Sequence, residues 1–138
     1  MRTALAGIVA ALAASLADAQ VLQFGEVQKM APAPYDTRVP YGPDPLQFVD
    51  LRVPSGPGPH PVVFLIHGGC WLSAINLDNI SMLAAALTKA GVATASVEYR
   101  RVGDAGGGAP GTFDDIKAAF DALPRWAAPH SLDLGPAV

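Results

Sequence analysis

Pro61-Val62-Val63-Phe64-Leu65-Ile66-His67-Gly68-Gly69-Cys70-Trp71 is the stretch that decides the fold. Its first part is a continuous β-branched and aromatic run bounded by a proline and a glycine pair. That is the pattern of a strand buried on both faces. Downstream, Ile80, Leu83, Ala84 and Leu87 follow i, i+3, i+4, i+7 spacing. They predict a helix over roughly Asn79 to Lys89, capped by Asp78 and stopped by Gly91. Val92 to Val97 reads as a second buried strand, closing on Glu98-Tyr99-Arg100-Arg101.

Further out, Gly103 to Gly111 holds five glycines and one proline and reads as a flexible loop. Thr112 with Asp115 makes a start resembling a capping box, and Phe113, Ile116, Phe120 and Leu123 lie on one helical face. Pro124 should kink or end that helix. Leu132 to Val138 reads as the approach to another strand. Upstream, nine of the thirteen prolines fall between Pro32 and Pro61, which excludes helix there. Leu46 to Val53 alternates apolar and polar residues, the mark of a half-buried strand near a sheet edge. Buried strands alternating with helices give right-handed crossovers: an α/β fold, with a mainly parallel sheet and helices on both faces.

Arg2, the uncharged apolar run Leu5 to Ala17, and Ala17-Asp18-Ala19 together read as a signal peptide over residues 1–19, with cleavage before Gln20. The run is short of the ~20 residues that span a bilayer. Export, to the periplasm or beyond the cell, follows as an expectation. Residues 20–138 then form one domain, with a proline-rich segment over 31–61 and a core over 62–138. Hydrophobic residues make up 51% and charged residues 15% of the 138, so a core can form. The net charge of −3 and the lack of a basic patch argue against nucleic acid as a partner. The single cysteine, Cys70, excludes an internal disulfide, and His60, His67 and His130 lack metal-ligand spacing. No cofactor is expected.

His67-Gly68-Gly69-Cys70-Trp71 leaves the first buried strand at its C-terminal end, where open α/β sheets place their ligands. Two glycines allow a sharp turn that gathers successive N–H groups. Acyl transfer needs such donors, aimed at the oxygen that turns negative and worth ~3–4 kcal/mol each. Cys70 paired with His67 as a nucleophile is disfavoured by their closeness in sequence. His67 as a general base lacks both a nucleophile and an orienting carboxylate. Asp114 and Asp115 are better explained by the helix dipole and capping. Gly106-Gly107-Gly108 lacks the context of a phosphate loop.

With Ala95-Ser96-Val97-Glu98-Tyr99-Arg100, the Val62 to Trp71 segment closely resembles α/β-hydrolases of the hormone-sensitive-lipase-like and kynurenine-formamidase-like esterase group. Tyr41-Gly42-Pro43-Asp44-Pro45 and Pro110-Gly111-Thr112-Phe113-Asp114-Asp115 share the likeness, which covers roughly Tyr41 to Val138. The resemblance implies oxyanion donors at the N–H groups of Gly69 and Cys70. His67 and Gly68 would brace that turn, Trp71 would pack beside the pocket, and Tyr99 and Arg100 would tie down their strand. It also implies strand order 1-2-4-3-5-6-7-8 and a catalytic serine in a G-x-S-x-G elbow after the fifth strand.

None of Ser15, Ser55, Ser73, Ser81, Ser96 and Ser131 has glycine at both −2 and +2. The chain therefore reads as the N-terminal part of an α/β-hydrolase, ending before the nucleophile strand. The activity implied is that of a secreted serine carboxylic-ester hydrolase acting on a small ester or amide, with no turnover by this chain alone. Two readings remain beside it: a degenerate hydrolase that binds an anion in the same amide turn, and a peptidase or formamidase of the same fold. A free edge along Val62 to Ile66 should favour self-association.

Overall fold

The computed structural model describes residues 23–135. The leader expected over 1–19 and the last residues of the expected final strand lie outside that range. After a one-turn helix α1 (Phe24–Val27), the chain forms β1 (Thr37–Pro40), β2 (Phe48–Arg52) and β3 (His60–Ile66). A 3₁₀ turn (Leu77–Ile80) leads into α2 (Ser81–Lys89), followed by β4 (Ala93–Val97), α3 (Gly111–Ala127) and the short β5 (Leu132–Asp133). The sheet is mixed, in the order β1-β2-β4-β3-β5. β2 pairs antiparallel with β1 and β4, whereas β3 pairs parallel with β4 and β5.

Ala95 sits between Leu51 and Phe64 in the ladder. With Ala93, Val97 and Val49 it forms one face of the core, covered by Ala119 and Leu123 of α3. The opposite face carries Asp50, Arg52, Thr94 and Ser96, all buried, and α2 covers it with Ser81 and Ala84. Most of these buried polar groups are paired, although the Ser96 hydroxyl and Arg52 Nη1 find no partner among the described residues. Asp50 takes a bidentate contact from Arg38 at 2.7 and 2.9 Å, and Arg52 donates to the carbonyls of Pro34 and Ala33, each at 2.8 Å. The segment before β1 thus straps the polar face. β2 is therefore buried on both faces, and it lies one strand in from the edge. The expected half-burial is corrected, whereas the expected place near the sheet edge stands, with only β1 pairing outside it.

β3 departs from expectation in the other direction. It is only half buried, with Val63 36% and Ile66 51% exposed. Its far edge meets β5 only at His60 and Pro61, so among the described residues nothing pairs Val62 to Ile66 on that side. β4, paired on both sides, is the strand buried at every residue.

The helices form where predicted, with different faces and caps. Asn76, not Asp78, caps the first, its side chain accepting from the Asp78 N–H, and the entry turn is 3₁₀. Gly91 does stop α2, at φ +94, with Val92 N–H donating to Leu87 and Gly91 N–H to Thr88. Leu83 faces out, because Ser81 and Ala84 take the sheet side. α3 runs through Pro124 to Ala127 instead of ending there. Its buried residues are Thr112, Asp115, Ala119, Ala122 and Leu123, which leaves Phe113 and Phe120 exposed. The loop before α3 is closely packed. A Cβ at Gly107 would lie 2.0 Å from the Arg101 carbonyl oxygen, and one at Gly111 1.9 Å from that of Gly106. No helix among the described residues is long and apolar enough to cross a membrane.

Candidate functional site

The glycine pair ends β3, and the backbone there turns left-handed. Gly69 has φ +119, and Cys70 and Trp71 follow at φ 53 and 57. A bulky residue in that region costs about 1 kcal/mol or more, so the surroundings must hold it there. Hydrogen bonds behind the turn do so: Leu72 N–H to Gly69 O (3.0 Å), Val102 N–H to Trp71 O (2.8 Å) and Ser73 N–H to Val102 O (3.2 Å). Gly69 is required by space as well as by φ, since a Cβ there would lie 2.5 Å from that of Ile75. The N–H groups of Gly69, Cys70 and Trp71 have no acceptor among the described residues. A depression of about 400 Å³ is lined by His67, Gly68, Cys70, Trp71 and Tyr99. Trp71 meets Phe113 edge-on at 5.9 Å on its rim, and the Cys70 thiol is exposed.

His67 is buried beneath the turn. Its Nε2 lies 3.0 Å from Glu98 Oε1 and its Nδ1 2.9 Å from the Gly68 carbonyl. Both ring nitrogens are thus engaged by oxygen atoms of the protein. Tyr99 stacks on that ring at 4.3 Å and donates its hydroxyl to the His67 carbonyl at 2.6 Å. Burial, followed by the charge of Glu98, pushes the Tyr99 hydroxyl pKa up, keeping it a donor. The orienting carboxylate not expected for His67 is thus present in Glu98, while both ring nitrogens are engaged within the protein.

On the other side of β4, Asp115 joins three segments. Its carboxylate accepts from Arg100 N–H (3.0 Å), Nε (2.8 Å) and Nη2 (2.6 Å), and from Gln47 Nε2 (2.7 Å). Burial pulls this carboxyl upward, but the Arg100 and Gln47 hydrogen bonds outweigh it and hold it below its ordinary value. The capping expected of Thr112 and Asp115 is therefore corrected. Pro110 stands at the cap position without a side-chain bond, and the Thr112 hydroxyl donates instead to the Arg100 carbonyl at 2.6 Å. Arg100 does tie down the end of its strand, through Asp115. Asp114 stays exposed in the first turn of α3.

Sequence reasoning passed over Glu98 and Arg101. Glu98 is buried and also accepts from the N–H groups of Leu77 and Tyr99, each at 3.1 Å. Arg101, equally buried, lies 3.4 Å from Glu98, donates to the Ile75 carbonyl and binds Asp104 at 3.2 Å. The only signal in the sequence was a charged pair spaced i, i+3 at the exit of a buried strand.

A crossover sheet of this order, with a glycine turn leaving β3 toward a depression at its C-terminal end, defines the chain as an α/β-hydrolase fold. The BD-FAE family model, an α/β-hydrolase family, matches residues 49–135, and the chain belongs to that family. A bifunctional GH43-CE protein of Bacteroides eggerthii is similar at 28% identity and TM-score 0.58, over 69% of this chain and 14% of that one. Esterase B of Lactobacillus rhamnosis shares the fold at 23% identity and TM-score 0.63, over 80% of this chain and 37% of its own. The C6-C4 SN3 inhibited form of that esterase gives TM-score 0.62 at the same identity, with 80% and 38% covered. None of the curated proteins matches the chain. The chain spans well under half the length of these structures.

Proposed function

We propose that this chain is the N-terminal portion of an exported serine carboxylic-ester hydrolase and supplies its oxyanion donors from the N–H groups of Gly69 and Cys70. The observation that carries the reading is the pinned left-handed turn with its free amides at the end of β3. Donors fixed before the reaction lose no energy in reorienting as charge develops on the oxygen, and each is worth ~3–4 kcal/mol in the transition state. His67 and Gly68 brace the turn, and Trp71 walls the depression beside it. The similarity to a GH43-CE protein and to esterase B supports a small ester as substrate.

The chain alone lacks chemistry for turnover, because no serine stands in a G-x-S-x-G elbow and His67 is fully engaged. Donors without a nucleophile stabilise an intermediate that never forms. The test is to read the coding frame past the Val138 codon and assay the products on p-nitrophenyl acetate. A continuation carrying the elbow, an acid and a histidine should yield an active enzyme exported with Gln20 at its N-terminus, beside an inactive chain. Turnover by the chain itself, or a continuation without a nucleophile, overturns the proposal.

A further inference from the structure

The oxyanion reading leaves one buried charged cluster unused. Glu98 Oε1 faces His67 Nε2, Tyr99 N–H and Arg101 Nη1, and its Oε2 accepts from Leu77 N–H. Three of these contacts converge on Oε1 and one on Oε2; that of Arg101, at 3.4 Å, is an ion pair and the other three are hydrogen bonds. A glutamine would turn its NH₂ toward either the Leu77 or the His67 donor and lose one link. Apolar residues could fill such a volume at equal or greater stability, so a buried ionic cluster is a poor device for stability alone.

What this one fixes is geometry. His67 is the root of the loop that carries Gly69 and Cys70, and Leu77 is its return. Arg101, held by Glu98, also grips the Ile75 carbonyl just before that return. Between these anchors lie the two left-handed residues, Cys70 and Trp71, whose conformation relaxes if either end is released.

We infer that Glu98 is the positioning residue of this loop: its one carboxylate clamps root and return together and so sets the direction of the Gly69 and Cys70 N–H groups. The inference deepens the oxyanion reading and rests on it for its catalytic meaning. Glu98 touches no substrate and acts through His67 and the loop backbone.

The test is amide ¹H–¹⁵N NMR of the full chain, comparing wild type with Glu98→Gln and with His67→Gln, which removes the ring and leaves the carboxylate. In both variants the Gly69, Cys70 and Trp71 amides should move and gain fast motion, with order parameters falling from ~0.85 to below ~0.6. Ala93 to Val97 should keep their positions. The wild type should show a downfield His67 Nε2 proton that Glu98→Gln shifts upfield, as the charge-assisted bond becomes neutral. A carboxylate that merely holds the fold would lower the unfolding midpoint and leave the loop amides in place. That outcome in whichever variant folds overturns the inference, and so does loss of the folded spectrum in both. The readout is independent of turnover. A loop that loosens in a protein with no esterase activity in its complete form upholds the clamp and sinks the oxyanion reading. An active enzyme whose loop ignores Glu98→Gln does the reverse.

Discussion

Phe120→Lys should turn a self-associating chain into a monomer. The edge of β3 beyond Pro61 is unpaired among the described residues, and beside it lies an apolar groove of about 290 Å³. Phe64, Phe120, Leu123 and Leu134 are among the residues lining that groove. Phe120 is 53% exposed. A phenylalanine side chain presents roughly 200 Å², so about 100 Å² stays wet here. At ~25 cal/mol per Å² its burial is worth about 2.5 kcal/mol per copy, or about 5 kcal/mol for two copies meeting symmetrically. That corresponds to roughly three to four orders of magnitude in an association constant. Within one chain the substitution loses an edge-on contact with Phe64 at 5.5 Å, worth about 1 kcal/mol. Association should therefore collapse while folding is only weakened. Sedimentation velocity over a wide concentration range should show the wild type growing with concentration and the variant staying monomeric, with circular dichroism reporting a modest loss of midpoint. A wild type that stays monomeric and melts sharply and reversibly would refute the reasoning, as would a variant that associates as strongly as its parent.

Asp115→Asn should flatten the acid limb of stability. The carboxyl is held below its ordinary 3.8 in the fold, so its contribution is present above that value and is lost as pH falls through the depressed pKa. The wild type should lose stability below about pH 4, whereas the variant should be weaker near neutrality and nearly flat there, as read by urea midpoints against pH. Equal slopes would exclude Asp115 as the group responsible. Gly107→Ala should destabilise far more than Gly108→Ala. At Gly107 the new Cβ meets the Arg101 backbone at 2.0 Å, whereas at Gly108 it meets only Val102 at 3.6 Å and carries a φ of +79. Urea unfolding should show the first at or above the top of the ~1–3 kcal/mol overpacking range and the second near ~1 kcal/mol. Similar losses would mean that the loop yields at both positions.

What was legible in the sequence was legible for a local reason. The small and β-branched run of β4 and the glycine that stops α2 depend on neighbours a few residues away, and both stand where they were read. β1 was hidden because Pro40 closes it and prolines surround it, although an edge strand tolerates that residue. Thr112 and Asp115 fit a capping pattern in sequence. Their partners, Arg100 and Gln47, come from other segments and take precedence. The α3 face was misread for the same reason: the buried Asp115 sets the rotation of the helix, and Phe113 and Phe120 are turned outward. In the site, the glycine turn was visible as a motif. Glu98 was not, because its donors at His67 and Leu77 lie 31 and 21 residues back along the chain.

Four consecutive residues at the exit of β4 show how one strand end serves two neighbourhoods. Glu98 and Arg101 reach the loop after β3, at His67, Ile75 and Leu77. Tyr99 stacks on His67 while belonging to the apolar core. Arg100 turns to Asp115 and so fixes the start of α3 and the Gln47 segment. The backbone of Glu98 adds a further tie, accepting the Tyr41 hydroxyl at 2.7 Å. A substitution within this run therefore separates two effects by its direction. One at Arg100 should loosen the α3 side and leave the glycine turn in place, whereas one at Glu98 should loosen the turn and leave α3 docked. Because both clamps grow from the rigid, fully buried β4, the free amides of Gly69 and Cys70 are referenced to the core of the sheet and not to the exposed edge of β3 on which they stand.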